Sequence, residues 1–353
     1  MSRLNKIQKA LKETDIEALL IMNPYNLRYA TNFTGTTGLA VVTQEKGYFV
    51  TDFRYTEQAA SQADDYEIVK NTESIYKEVG KIVEQDNINS LAIEFSTITL
   101  STFALIEELV DAEFEDGTGL VEALREVKEP DEIEQIRKAI SITEAAYEHI
   151  LGWVKPGQTE IEVANELDFF MRSKGASGIS FDTIVASGVR SAMPHGVASD
   201  KKLANNEMVT IDFGCYYNGY VSDMTRTFAI GDPGEELVNV YKIVQEAHKR
   251  VHAAAGPNIS GKDLDAVARD YITENGYGDA FGHTTGHGIG LEIHEEPSVA
   301  KRNEDLFVAN NVITNEPGIY LPGKGGVRIE DDILITENGS SNLMSLATDL
   351  IQL

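Results

Sequence analysis

Two aspartates, Asp212 and Asp223, stand on the two arms of one hairpin pattern. Met208–Gly214 alternates and is rich in β-formers, Asn218-Gly219 is a strong two-residue turn signal, and Tyr220–Phe228 alternates again. A turn at 218–219 pairs 217 with 220, which sets Asp212 opposite Thr225 and Asp223 opposite Gly214. The two carboxylates are then diagonal neighbours on one face, about 7–8 Å apart at the backbone. Buried that close they repel, one holds its proton, and a divalent cation removes the penalty. Solvent-facing aspartates on an edge hairpin fit the same pattern, so this pair does not decide alone.

Gly282-His283-Thr284-Thr285-Gly286-His287-Gly288-Ile289-Gly290 carries two histidines at the i, i+4 spacing of a helical metal pair. The glycines argue against a helix and for extended backbone that something approaches closely. His294 follows, placing three of the chain's 7 histidines in one short stretch. Imidazole is a common metal ligand and a ready proton carrier. A core histidine satisfied by backbone would explain one of them, but not three among glycines. Further on, Val312–Glu316 reads as a strand stopped by Pro317-Gly318, so Glu316 sits at a strand end. Gly325-Gly326 opens a strand expected to run over Val327–Thr336, with Arg328 and Glu330 on one face, an arrangement an ordinary ion pair would also produce.

Elements on both sides must hold these residues. The first third alternates strand-like runs (Ala18–Met22, Leu39–Thr43, Tyr48–Asp52, Ser90–Glu94) with helical ones (Ser2–Thr14, Thr56–Ala63, Ser74–Gln85), an α/β pattern. Glu126–Pro130 reads as a boundary, with Pro130 suited to open a long helix. A faint repeat follows. Ile142–Gly175 and Ile243–Gly276 each hold a proline turn (Pro156, Pro257), a capped helix start (Thr159 with Glu162, Ser260 with Asp263) and a closing glycine. Two related halves would create a site at their interface.

The chain has 353 residues, which favours two domains, and 42% hydrophobic residues, ordinary for a globular protein. A net charge of −27 argues against nucleic acid and anionic membranes as partners and suits a site for cations. There is no run of 18 apolar residues, the start lacks a signal-peptide core, and the single cysteine, Cys215, forms no disulfide within the chain. A cytoplasmic protein is expected.

In this order the residues form a set of motifs: Pro194-His195-Gly196, Ile211-Asp212-Phe213-Gly214, Ser222-Asp223-Met224-Thr225-Arg226-Thr227, Gly286-His287-Gly288-Ile289-Gly290, Asn315-Glu316-Pro317-Gly318 and Val327-Arg328-Ile329-Glu330. On these the chain resembles the pita-bread metallopeptidases, in the branch of aminopeptidase P and prolidase. Asn23–Tyr29 and Thr51–Tyr55 resemble that branch's N-terminal domain. The resemblance implies an α+β protein, with a creatinase-like α/β domain over 1–125 and a catalytic pita-bread domain over 126–353 holding an internal pseudo-twofold repeat. It implies hydrolysis of the bond between an N-terminal residue and proline, as an Xaa-Pro aminopeptidase or dipeptidase, through a water bridging two divalent cations. Asp212 would chelate one ion, Asp223 and Glu330 would bridge, and His287 and Glu316 would complete the second, with manganese first among manganese, cobalt, zinc and iron. Glu316 would move the proton, His195 and His294 would bind substrate and stabilise the intermediate, His283 would line the proline pocket, and Arg328 would orient the surroundings of Glu330 and the substrate. A homodimer is implied as well, with Arg54 within reach of a neighbouring subunit's substrate or in an ordinary ion pair.

Three rivals are weighed against this. A relative working by histidine alone, as creatinase does, would lack some of the five ligands. A non-catalytic peptide-binding module would have lost His195, His294 or Arg328. A methionine aminopeptidase would usually lack the long N-terminal domain.

Overall fold

Leu4, Ile7 and Leu11 fall on one face of the first helix and are buried there. In the computed structural model, which describes residues 1–353, that helix begins the first of two units, Met1–Arg125; the second is Glu126–Leu353. In the first unit α1 (Arg3–Thr14), β1 (Ala18–Ile21), α2 (Pro24–Thr31), β2 (Leu39–Thr43), β3 (Gly47–Thr51), α3 (Thr56–Gln62), β4 (Glu67–Lys70), α4 (Ile75–Asp86), β5 (Ser90–Ile93), α5 (Leu100–Leu109), β6 (Glu113–Asp116) and α6 (Leu120–Glu126) follow one another. The strands form one mixed sheet in the order β4-β3-β2-β1-β5-β6. Every residue of β1 is buried, which is why it reads as an unbroken apolar run rather than an alternation. Helix α2 lies outside the helical runs read from the sequence. Its signal is local: the Asn23 side chain accepts from the Tyr25 and Asn26 N–H groups, and Pro24 occupies the first turn. Arg54 forms an exposed ion pair with Asp52 at 2.6 Å.

In the second unit two helix pairs repeat. Helix α7 (Pro130–Trp153), opened by a capping box of Glu129 and Glu132, packs on α8 (Glu160–Ser173). Six strands, β7 (Gly178–Ile179), β8 (Ile184–Ser187), β9 (Glu207–Phe213), β10 (Cys215–Tyr217), β11 (Tyr220–Val221) and β12 (Met224–Ile230), lie before α9 (Glu235–Ala254) and α10 (Gly261–Glu274), and β13 (Gly286–Gly288) lies after them. The chain ends with β14 (Glu295–Val299), β15 (Val312–Asn315), β16 (Gly318–Leu321), β17 (Gly325–Arg328), β18 (Asp331–Thr336) and β19 (Gly339–Asn342). Helices α8 and α10 are each 14 residues long, capped by Thr159 and Ser260, and α9 packs on α10 as α7 does on α8. Each cap residue also bridges a later extended segment, Thr159 to Lys202 and Ser260 to Leu306. The repeat in the sequence is thus a repeat of packed helix pairs, each followed by strands.

The hairpin has the register that its turn dictates: Tyr217 pairs with Tyr220, Phe213 with Met224 and Asp212 with Thr225. It is not one continuous ladder. At Gly214 and Ser222-Asp223 the arms change sheets; β10 and β11 continue with β7, while β9 and β12 continue with β8. A Cβ on Gly214 would lie 1.8 Å from the Ser222 carbonyl oxygen, so only glycine fits this crossing.

The strand expected over Val327–Thr336 is divided. Strand β17 pairs with β16, and β18 pairs with β15 and β19, leaving Ile329 and Glu330 between them. The backbone of Glu330 is bonded across to β12 instead: its N–H donates to the Thr225 carbonyl at 3.0 Å, and Arg226 Nη1 donates to its carbonyl at 2.6 Å. Arg226 is 1% exposed and is paired with Asp331 at 2.6 Å, while Asn342 Nδ2 donates to the other Asp331 oxygen at 2.6 Å. Burial pushes the Asp331 carboxyl up, but Arg226, His248 and these hydrogen bonds outweigh it and hold it below the usual range. Asp331→Ala would leave the Arg226 guanidinium buried and uncompensated. The expected loss in chemical denaturation is about 3–5 kcal/mol; a loss under about 1 kcal/mol would mean that the pair does not brace the crossing.

Candidate metal centre

The crossing strands bring acids of the first half of the second unit against a histidine and acids of the second half. Asp212 lies on β9 and Asp223 just before β12, both buried. His287 is the central residue of β13, whose glycines admit close neighbours. A Cβ on Gly286 would stand 2.0 Å from the Thr314 carbonyl oxygen of β15, and one on Gly288 would stand 2.5 Å from that of Glu296 on β14. Glu316 follows the last residue of β15, and Glu330 sits in the gap between β17 and β18. All five line one cavity of about 430 Å³, together with His195, His283, His294 and Arg328. A larger cavity of about 560 Å³ in the first unit contains no histidine, and its one lysine, Lys46, is already paired with Asp86 at 2.7 Å.

Ligand atoms of Asp223, His287 and Glu330 lie within 4.8 Å of one another. His287 Nδ1 is 3.0 Å from the Gly288 carbonyl, which can only accept, so Nδ1 carries the proton and the Nε2 lone pair faces inward. There Nε2 meets Glu316 Oε1 at 3.4 Å and Asp223 Oδ2 at 3.6 Å. A lone pair aimed at two carboxylates is repulsive unless a proton or a cation lies between them. Asp212 Oδ1 and Asp223 Oδ1 are buried without a hydrogen-bond partner in the protein. Four carboxylates and an imidazole are a suitable donor set for a first-row divalent ion, and these orphaned oxygens fit one.

The electrostatics agree. Burial, then Glu330, Asp212, Asp332 and Glu316, raise the Asp223 carboxyl well above its ordinary range. Burial, then Glu316 and Asp212, do the same to Glu330. Glu316 is pushed up to about 7, chiefly by burial, with Arg328 opposing. Desolvation depresses His287 and takes His283 down to about 4, so both imidazoles are neutral near pH 7.

Residues outside the set read from the sequence hold it in place. Thr225 Oγ1 donates to Glu330 Oε2 at 2.6 Å. Thr314 Oγ1 accepts from the His287 N–H at 3.1 Å and donates to Glu316 Oε1 at 3.3 Å. The Asp223 N–H donates to Asp332 Oδ2 at 3.2 Å. Arg328 does not bond Glu330. Its guanidinium donates to Asp212 Oδ2 at 2.5 Å, Tyr320 Oη at 2.7 Å, Thr225 Oγ1 at 3.0 Å and the Pro194 carbonyl at 3.3 Å. Tyr320 Oη, accepting from Arg328, donates to His283 Nε2 at 2.8 Å, while His283 Nδ1 donates to the Thr284 carbonyl at 2.7 Å. His283 is thus fixed in one tautomer.

His195 and His294 are exposed on the cavity wall, and the His294 ring stands edge-on to His287 at 4.5 Å. The segment bearing His195 is tied at both ends by one buried carboxylate. Glu160 accepts from the Ser187 N–H and hydroxyl at 2.9 and 2.8 Å, and from those of Ser199 at 3.1 and 2.6 Å, and pairs with Arg190. Thr225 was reachable in sequence as the partner opposite Asp212; Glu160, one place after a helix cap, carries no such signal.

The family model for metallopeptidase family M24 matches residues 134–337, and that for the creatinase/prolidase N-terminal domain matches residues 3–127. Among solved structures, an Xaa-Pro dipeptidase from Bacillus anthracis superposes with a TM-score of 0.98 at 48% identity, over 99% of both chains. An X-Pro aminopeptidase from Thermotoga maritima does so with a TM-score of 0.91 at 40% identity, over 98% of this chain and all of its own. An Xaa-Pro dipeptidase of Pyrococcus furiosus is 40% identical over 355 aligned positions, covering 99% of each chain.

The raised carboxyls give a signed pH prediction for the metal-free protein. Glu316 is protonated up to about pH 7 when folded, but only to about 4.5 when unfolded, so the folded state binds more protons and loses stability as pH rises through that window. The depressed histidines act oppositely, but their effect is spent above about pH 6.5. Melting temperature after chelation should therefore fall between pH 6.5 and 8, and the stabilisation on adding Mn²⁺ should grow over the same range. A flat metal-free profile would contradict this.

Proposed function

The chain is a metallopeptidase of family M24 with a creatinase/prolidase N-terminal domain, and we propose that it hydrolyses the peptide bond between an N-terminal residue and proline, holding two divalent cations, manganese foremost, on Asp212, Asp223, His287, Glu316 and Glu330. The observation that carries this reading is the inward Nε2 lone pair of His287, 3.4 and 3.6 Å from carboxylates of Glu316 and Asp223. Relatives named as Xaa-Pro dipeptidases and an X-Pro aminopeptidase, similar over nearly the whole chain, support the substrate class. Divalent cations held by these five residues would supply acidification of the attacking water and polarisation of the scissile carbonyl.

The chain's own groups supply the rest. Glu316, at the end of β15 and facing the cavity, takes a proton from the attacking water and passes it to the departing proline nitrogen. His195 and His294 donate hydrogen bonds to the substrate carbonyl and to the oxyanion that develops from it. Proline's amide nitrogen bears no hydrogen, so recognition falls to shape. The fixed, neutral ring of His283 gives the proline a rigid wall. Arg328 keeps Asp212 aimed inward and, through Tyr320, keeps that ring in place.

The direct test is turnover of an Xaa-Pro dipeptide and an Xaa-Pro-Yaa tripeptide after chelation and after Mn²⁺, Co²⁺ or Zn²⁺ is restored. Cleavage should vanish and return with metal, and Asp223→Ala should lower kcat/KM by about 10³-fold or more with metal content lost and the fold retained. A folded enzyme with no metal-dependent cleavage, or a fully active Asp223→Ala variant, would sink the proposal. Tyr320→Phe removes the link between Arg328 and His283, and a loss in kcat/KM of about 10- to 100-fold is expected for such a supporting contact; an unchanged value would mean that the His283 ring is held by packing alone.

A further inference from the structure

The cavity holding the four acids and His287 is lined on one side by His283 and Thr284. His283 and Thr284 also line a second cavity of about 280 Å³, whose wall includes Arg269, Lys301 and Arg302. Arg269 is committed. It binds Asp265 at 2.7 and 2.8 Å and donates to the Phe281 and His283 carbonyls at 2.9 and 2.7 Å. Lys301 and Arg302 are not. They stand exposed on the turn after β14, closed by the Asn303 N–H on the Ala300 carbonyl at 3.0 Å, and neither has a hydrogen-bond or ion-pair partner. Glu304, an acid close by in sequence, is paired elsewhere, with Lys262 at 3.2 Å. In a chain of net charge −27, these two side chains are cations without an ion-pair partner.

The first cavity offers no such group. Its one arginine, Arg328, is buried, and its nitrogens are engaged by Asp212, Tyr320, Thr225 and Pro194. A peptide bound there with its proline against His283 has no free cation beside the ring for its terminal carboxylate. His283 and Thr284 line both cavities, so a residue that follows proline, about 3.8 Å further along the chain from one Cα to the next, would lie at the wall they share.

We propose that Lys301 and Arg302 receive the C-terminal carboxylate of a substrate that extends one residue past proline, so that free-acid Xaa-Pro-Yaa peptides are the favoured class. The inference rests on the proline-peptidase reading and on His283 as the wall of the proline pocket. Both cations are exposed, so the attraction is screened by salt and appears mainly in KM.

The test compares kcat/KM of the Mn²⁺-loaded enzyme on an Xaa-Pro-Yaa tripeptide, on the same tripeptide amidated at its C-terminus, and on an Xaa-Pro dipeptide. The wild type should prefer the acid to the amide by about 5- to 20-fold, the range open to two exposed ion pairs, and less so in 0.5 M salt. Lys301→Gln with Arg302→Gln should bring that ratio near one, and Lys301→Glu with Arg302→Glu should bring it below one. Because the ratio is internal to each protein, a partly unfolded variant does not imitate the result. A wild-type ratio near one, a ratio unmoved by either pair of substitutions, or a dependence on Lys301 and Arg302 seen for the dipeptide alone would overturn the inference while the peptidase reading stands. No cleavage of any peptide would remove both.

Discussion

Repulsion among buried carboxylates is the constraint on which the site depends. Asp212, Asp223, Glu316 and Glu330 share one cavity, and the His287 lone pair is aimed among them by the Gly288 carbonyl. Left alone, such a cluster takes up protons, as the raised carboxyls of Asp223, Glu316 and Glu330 indicate. A cation that replaces those protons converts this electrostatic cost into its binding force. The groups that the chemistry needs are also the ones that would loosen the fold if left uncompensated.

Much of the surrounding architecture resists that repulsion. The acids come from two structurally repeated halves, and hydrogen bonds cross between them at the point of greatest crowding. Thr225 binds Glu330 through both its carbonyl and its hydroxyl, and Arg226 caps the Glu330 carbonyl while paired with Asp331. Glycines at 214, 286 and 288 let strands approach more closely than any side chain allows. Rigidity of this kind matters for catalysis, since ligands held by strands and second partners stay near their working geometry without being reorganised by each turnover.

The parts legible in the sequence were those written in local periodicity. The Asn218-Gly219 turn dictated the pairing of Asp212 with Thr225, the glycines around His287 excluded a helix, and the paired turn, cap and stop signals marked the repeat of α8 in α10. What did not show was long-range. The break at Ile329–Glu330 interrupts a good strand pattern because a distant strand takes over the backbone bonds of Glu330. Arg328 shares a strand face with Glu330 in the sequence, yet its guanidinium bonds Asp212 and reaches Glu330 only through the Thr225 hydroxyl that both contact. Tyr320 and Glu160 act through contacts that no spacing rule encodes.

The central claim is that the carboxylate cluster around His287 is a cation site. Anomalous diffraction at the manganese edge, from crystals grown with Mn²⁺ near pH 8, tests it without any assay of activity. The account predicts strong peaks within bonding distance of Asp223, His287 and Glu330, with a second ion toward Asp212. Full-occupancy crystals that show no peak there, or ions bound only at other acidic surfaces, would contradict it.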